Sequence, residues 1–152
     1  MGLLTRDEIF AEIGAGNIKI TPFTPHNVGP GSVDLTLDNV FRRFVKKKIV
    51  KIDEDTDYKK VTRLIKADTI EIEPGELILG ITKEKIMLSE NTAGWLQGRS
   101  RFARLGLMVH VTAGFVQPGI ENKQVLEIHN SSSNDLILKP GLKICQLILE
   151  KM

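Results

Sequence analysis

The chain has 152 residues, 41% hydrophobic and 26% charged, which fits one soluble globular domain over residues 1–152 with one core. Lys plus Arg number 21 and Asp plus Glu 19, so the strong basic excess of a nucleic-acid binder is lacking, with room left for a local anion site. The single cysteine, Cys145, rules out an intramolecular disulfide framework and a multi-cysteine metal site; no apolar run could span a bilayer, and the N-terminus carries no signal-peptide pattern. The expectation is a cytoplasmic protein without a membrane or nucleic-acid partner.

The chain opens on a short helix. Thr5 and Glu8 form a capping-box pair, Ile9, Phe10 and Ile13 follow at helical spacing, and Gly14 and Gly16 offer a stop. Residues 21–31 hold three prolines and two glycines and read as an irregular loop. From there the signals are β. Ser32 to Leu37 alternates, with Val33, Leu35 and Leu37 on one face. Val40 to Val45 and Ile49 to Ile52 are expected as a hairpin turning at Lys46-Lys47-Lys48, and 53–60 as a polar loop. Thr69 to Glu73 and Glu76 to Thr82 are expected as a second hairpin around Pro74-Gly75. Further strands are expected at 92–97, 107–111, 123–130, 135–138 and 143–149. Asn130-Ser131-Ser132 fits a glycosylation acceptor pattern, which carries weight only in a secreted chain. Many short strands with regular turns predict an all-β sandwich, jelly roll or barrel with a short N-terminal helix.

Two segments carry chemistry. Residues 94–119 read GWLQGRSRFARLGLMVHVTAGFVQPG. Arg99, Ser100, Arg101 and Arg104 cluster beside Gly98, a composition suited to an anion: glycine permits close backbone approach, serine offers a hydroxyl, and guanidinium groups pair with phosphate oxygens. A plain basic surface helix has the same composition. The second segment is Gln124–Asn130, where strand alternation puts Glu127 on the face of Val125 and His129, opposite Leu126 and Ile128. A carboxylate on a partly buried face is paired or protonated, which leaves two readings: a proton shuttle with a raised pKa, or an ion pair with an arginine.

Taken together, these segments resemble the dCTP deaminase family of the dCTP deaminase/dUTPase superfamily. The likeness rests on residues 98–119 and Val125–Asn130, with Gly31–Leu37 upstream and Lys139–Leu147 downstream, so it covers most of the chain in register. It implies a distorted β-barrel or jelly-roll subunit of the dUTPase type, trimer-forming, with active sites shared between copies. It also implies deamination of dCTP to dUTP and ammonia without zinc, in which Glu127 acts as general base and then general acid. Ser100 and Arg104 match the family's other polar catalytic residues, expected to orient the water or the leaving amine and to stabilise charge. The segment His110, Val111, Thr112 and Ala113 resembles the one that reads the pyrimidine edge, with His110 in a structural role. Arg99, Ser100 and Gln146 match positions that handle phosphates, and Mg2+ is expected only as the counterion of the triphosphate, with no metal held by the protein.

Three departures from the family pattern qualify this reading. Gln117, before Pro118-Gly119 in an expected hairpin, stands where relatives usually carry an acid that contacts the sugar and activates the water of dUTP hydrolysis. Its amide is not basic, which counts against a dUTPase or bifunctional activity giving dUMP and pyrophosphate. Arg101 replaces a second serine and is expected either at a phosphate or facing solvent or another subunit. The sequence ends at Met152, whereas relatives usually continue with a tail that closes over the nucleotide, so the expectation is either weaker triphosphate binding or water exclusion by another element. A catalytically weak nucleotide-binding regulator is a further alternative, opposed by the intact Ser100, Arg104 and Glu127.

Overall fold

The computed structural model describes residues 2–46 and 49–152, and all counts below refer to these. The strands sort into two main sheets and a small one. The first comprises β1 (Gly2–Leu3), β13 (Lys143–Lys151), β8 (Thr92–Gly98) and β10 (Phe115–Val116) in that order, with β3 (Val33–Thr36) also paired to β13. The second runs β5 (Thr62–Lys66), β4 (Val40–Phe44), β7 (Leu77–Leu88), β11 (Glu121–Asn130) and β9 (Leu107–Val109), with β2 (Ile18–Thr21) also on β7. A two-stranded sheet joins β6 (Ile70–Ile72) to β12 (Leu136–Leu138). The fold is mostly β, as expected. Among the described residues the strands pair as separate sheets and not as one closed barrel.

The alternation read from the sequence is what builds the core. Val33, Leu35 and Leu37 are buried, as are Leu126 and Ile128 on β11 and Ile144, Leu147 and Leu149 on β13. These residues from both main sheets join one hydrophobic cluster. The N-terminal helix α1 spans Arg6–Gly14, and the Glu8 carboxylate accepts from both the Thr5 N–H and the Thr5 hydroxyl at 2.8 Å. Ile9 is fully buried beneath it.

Two expected hairpins are not formed. β4 pairs with β5 on one side and β7 on the other, so Ile49–Ile52 has no strand to join and stays in an exposed loop. Lys47 and Lys48 of the expected turn lie outside the described residues. At Pro74-Gly75 the chain does turn, with Gly75 at φ 79° and the Glu76 N–H donating to the Glu73 carbonyl. The arms then part: Ile72 pairs with Leu136, while β7 pairs with β11. Strands β1, β2, β5 and β10 lie outside the expected set. Asn130 is fully buried: its amide donates to the carbonyls of Ile72 and Asn134, and its oxygen accepts from the Ser132 N–H and hydroxyl. It therefore pins a turn, and the glycosylation pattern there is coincidental. Among the described residues, no helix is long and apolar enough to cross a membrane.

Candidate active site

Glu127 lies in β11 between two buried neighbours, so its side chain is turned to the outer face with Val125 and His129. β9 runs antiparallel beside it, with Val109 opposite Ile128, so the residues that follow β9 pass along Glu127. They satisfy both carboxylate oxygens. The Thr112 N–H donates to Oε1 at 2.8 Å and the Thr112 hydroxyl at 2.9 Å. His110 Nε2 stands 3.1 Å from Oε2, on a ring only 4% exposed. The same ring accepts the Glu127 backbone N–H at Nδ1, 3.0 Å away. A ring that accepts at Nδ1 carries its proton on Nε2, so this bonding assigns a neutral imidazole that donates to the carboxylate.

This environment corrects one expectation. Within the chain Glu127 is paired with a histidine and a threonine, and among the described residues none of its bonds goes to an arginine of the same chain. Its pKa is lowered, not raised. Burial is the largest single influence and pushes it up, but the Thr112 backbone and hydroxyl, the His110 ring and the Ala113 backbone together outweigh it. The carboxylate form is thus held ready at neutral pH.

The second group of candidates surrounds the end of β8. Gly98 has the closest backbone approach in the region: a Cβ there would lie 2.4 Å from the Val109 carbonyl oxygen. The glycine expected to admit an anion instead admits the neighbouring strand. Arg99 precedes the single-turn helix α2 (Ser100–Ala103). Its Nη1 donates to the Lys143 carbonyl at 2.8 Å, and its Nε lies 3.7 Å from Asp34. Gln146 is similarly engaged, accepting from the Ser32 hydroxyl at 2.8 Å and donating to the Gly98 carbonyl at 3.2 Å. Both side chains therefore spend polar atoms on holding β13, β8 and β3 in register.

Ser100, Arg101 and Arg104 are exposed. Among the described residues, no hydrogen bond joins the side chain of Ser100 or Arg104 to Glu127. His110 links the two regions, because a cleft of about 480 Å³ is lined by Gln97, Gly98, Ser100, Met108, His110 and Gln146. Val111 is half-buried, and Thr112 and Ala113 are exposed beside Glu127. Gln117 is exposed, but the expected hairpin around it is absent. β10 pairs with β8 and β11 with β7, so Gln117–Ile120 is a crossover between the main sheets.

Sequence reasoning missed the bonds from His110 and from the Thr112 hydroxyl to Glu127. They depend on the register of β9 against β11, which no local pattern announces. Among the described residues, no three His, Cys, Asp or Glu side chains come together as a metal-binding group.

A protein named dCTP deaminase, dUMP-forming, from Beutenbergia cavernae is 43% identical over 148 residues, which cover 95% of this chain and 77% of the relative. The crystal structure of 2'-deoxycytidine 5'-triphosphate deaminase from Agrobacterium tumefaciens superposes with a TM-score of 0.77 at 17% identity, over 99% of this chain. This chain spans 48% of that protein's length, and the likeness is one of fold. The native dUTPase of EIAV aligns over 74% of this chain and 88% of its own, with a TM-score of 0.50 and 25% identity. The mostly-β fold is thus dUTPase-like. The model of the dCTP deaminase-like family matches residues 3–152, and the chain belongs to that family.

Proposed function

We propose that the protein deaminates dCTP at cytosine C4 and carries the product on to dUMP. The observation that carries the first step is Glu127, an ionised carboxylate fixed by Thr112 and His110 on an accessible strand face. Glu127 accepts a proton from water as the water oxygen bonds to C4, and N3 of the ring becomes protonated. The tetrahedral carbon then expels the 4-amino group, which takes up a second proton and leaves as ammonia. The carboxylate shuttles both protons and ends unchanged. One water is consumed and one ammonia released. His110 acts as a positioning residue: its Nε2–H fixes the carboxylate rotamer, and its Nδ1 fixes the backbone behind it.

Ser100 and Arg104 are proposed to reach this carboxylate from a neighbouring copy in a homotrimer. Their exposure, and the absence of a bond to Glu127 within the chain, support a shared site. Mg2+ enters as the counterion of the triphosphate, brought by the substrate.

The dUMP-forming step rests on the name of the relative at 43% identity. In it, water attacks the α-phosphorus, the bond to the bridging oxygen breaks, and pyrophosphate leaves. Gln117 favours a second reading, in which dUTP is released as product, because an amide takes no proton from water at neutral pH. Incubation with dCTP and, separately, with dUTP, both with Mg2+, decides between them when ammonia and pyrophosphate are assayed. Ammonia and pyrophosphate from dCTP, and pyrophosphate from dUTP, support the proposal. Ammonia alone, with dUTP untouched, supports the second reading. No product from either overturns both.

A further inference from the structure

Ser32 lies just before β3, and its backbone is fixed on two sides. The Gly29 N–H donates to its carbonyl at 2.8 Å, and the next residue, the buried Val33, bridges Val28. Alternation along β3 turns the Ser32 side chain outward, to the face of Asp34. Asp34 is opposite Gln146, and Gln146 is opposite Gln97, so these three form one row across β3, β13 and β8. Ser32 stands beside that row, with its hydroxyl 2.8 Å from Gln146 Oε1.

The Gln146 amide has two ends, and the chemistry of its neighbours decides which end goes where. The Gly98 carbonyl can only accept, so it faces Nε2, at 3.2 Å. Oε1 then faces Ser32 and can only accept, so the Ser32 hydroxyl donates. A flipped amide would set Oε1 against the Gly98 carbonyl, two acceptors with no proton between them. Nε2 carries two protons, and the bond to Gly98 uses one. Among the described residues the other has no partner. Gln146 lines the cleft of about 480 Å³ together with Ser100 and His110, and among the described residues no carboxylate lines it. A fixed N–H donor beside a serine hydroxyl, in a cleft without an acid, suits the oxygens of an anion.

We infer that Ser32 is a positioning residue for nucleotide binding: its hydroxyl holds Gln146 so that the second Nε2 proton is presented to the phosphates. The inference rests on the substrate proposed above, with Gln146 as a phosphate contact. Ser32 acts only through Gln146. Its bond takes no donor from the cleft, because Oε1 has none to give.

Calorimetry of dCTP with Mg2+ tests it, using Glu127→Gln as the non-reacting background. Adding Ser32→Ala should weaken the Kd about two- to tenfold, the scale of one neutral hydrogen bond. Ser32→Thr keeps the hydroxyl and should keep the Kd. Gln146→Ala should weaken binding at least as much as Ser32→Ala. Ser32→Ala added to Gln146→Ala should then weaken it no further, because the group that Ser32 positions is gone. The Kd for deoxycytidine, which lacks the phosphates, should be the same in all these proteins. An unchanged dCTP Kd in a folded Ser32→Ala protein would overturn the inference. So would a loss that persists in full in the Gln146→Ala protein, or one of equal size for deoxycytidine, since either would make Ser32 merely structural. A second measurement needs no change at Ser32. In the background protein, dCTP should shift the NMR signal of one Gln146 Nε2 proton and leave the proton bonded to Gly98 in place; two unmoved protons would overturn the inference. Failure of the substrate reading looks different: the unsubstituted protein would release no ammonia from dCTP.

Discussion

Around Glu127, both carboxylate oxygens and the backbone N–H have partners from the same chain, all within six residues of β9. Around Ser100 and Arg104 the reverse holds, since both residues are exposed on a one-turn helix. The first region is a finished device, in which each bond restricts where the carboxylate can go. The second is an unfinished surface, because a four-residue helix cannot hold long side chains in place by itself. In the proposed shared site, the difference means that one chain orients the proton carrier while Ser100 and Arg104, the groups proposed to hold water and charge, come from a second chain.

The largest expected effect breaks the finished side. Glu127→Gln keeps the size of the side chain and removes its basicity, so kcat for ammonia release should fall about 10²–10⁴-fold or more while dCTP still binds. Substantial turnover by this variant would remove Glu127 from the chemistry.

His110→Phe should have a smaller effect with a distinctive signature. Removing the Nε2–H donor removes a hydrogen bond that favours the ionised carboxylate. The acidic limb of kcat/KM, which falls as Glu127 protonates, should therefore move to higher pH. A loss of rate at every pH without movement of that limb would make His110 merely structural.

Gly98→Ala should act on stability. The added Cβ would meet the Val109 carbonyl oxygen at 2.4 Å, pushing β8 from the strand that feeds His110 into the site. A cost of about 1–3 kcal/mol is expected for such overpacking, read as a lower urea midpoint. An unchanged midpoint would show that the two strands separate freely.

The same contrast explains what could be read from the sequence. The capping pair Thr5 and Glu8 and the inward alternation of Leu126 and Ile128 are local patterns, and both are present in the fold. Strand partners are not local. The sequence pattern pairs Val40 to Val45 with the nearest strand-like run, yet Thr62–Lys66, beyond a long loop, is the partner of Val40–Phe44. Pro74-Gly75 marks a real turn whose two arms belong to different sheets. Glu127 was legible by alternation and resemblance. The fall in its pKa was not, because His110 and Thr112 become its neighbours only through the register of β9 on β11. Arg99 reads as an anion contact from composition and resemblance, and Gln146 from resemblance alone, while their internal bonds to Asp34, Ser32 and backbone carbonyls depend on three strands meeting.

The shared site is tested most directly by mixing two inactive proteins. Glu127→Gln and Arg104→Ala chains are co-refolded so that mixed assemblies form, and ammonia release from dCTP is measured. If Glu127 of one copy works with Arg104 of another, each variant alone should be inactive, while mixed assemblies should regain a clear fraction of the original rate. No recovery, with mixed assemblies verified by native mass spectrometry, would place both residues in one chain's site and contradict the account.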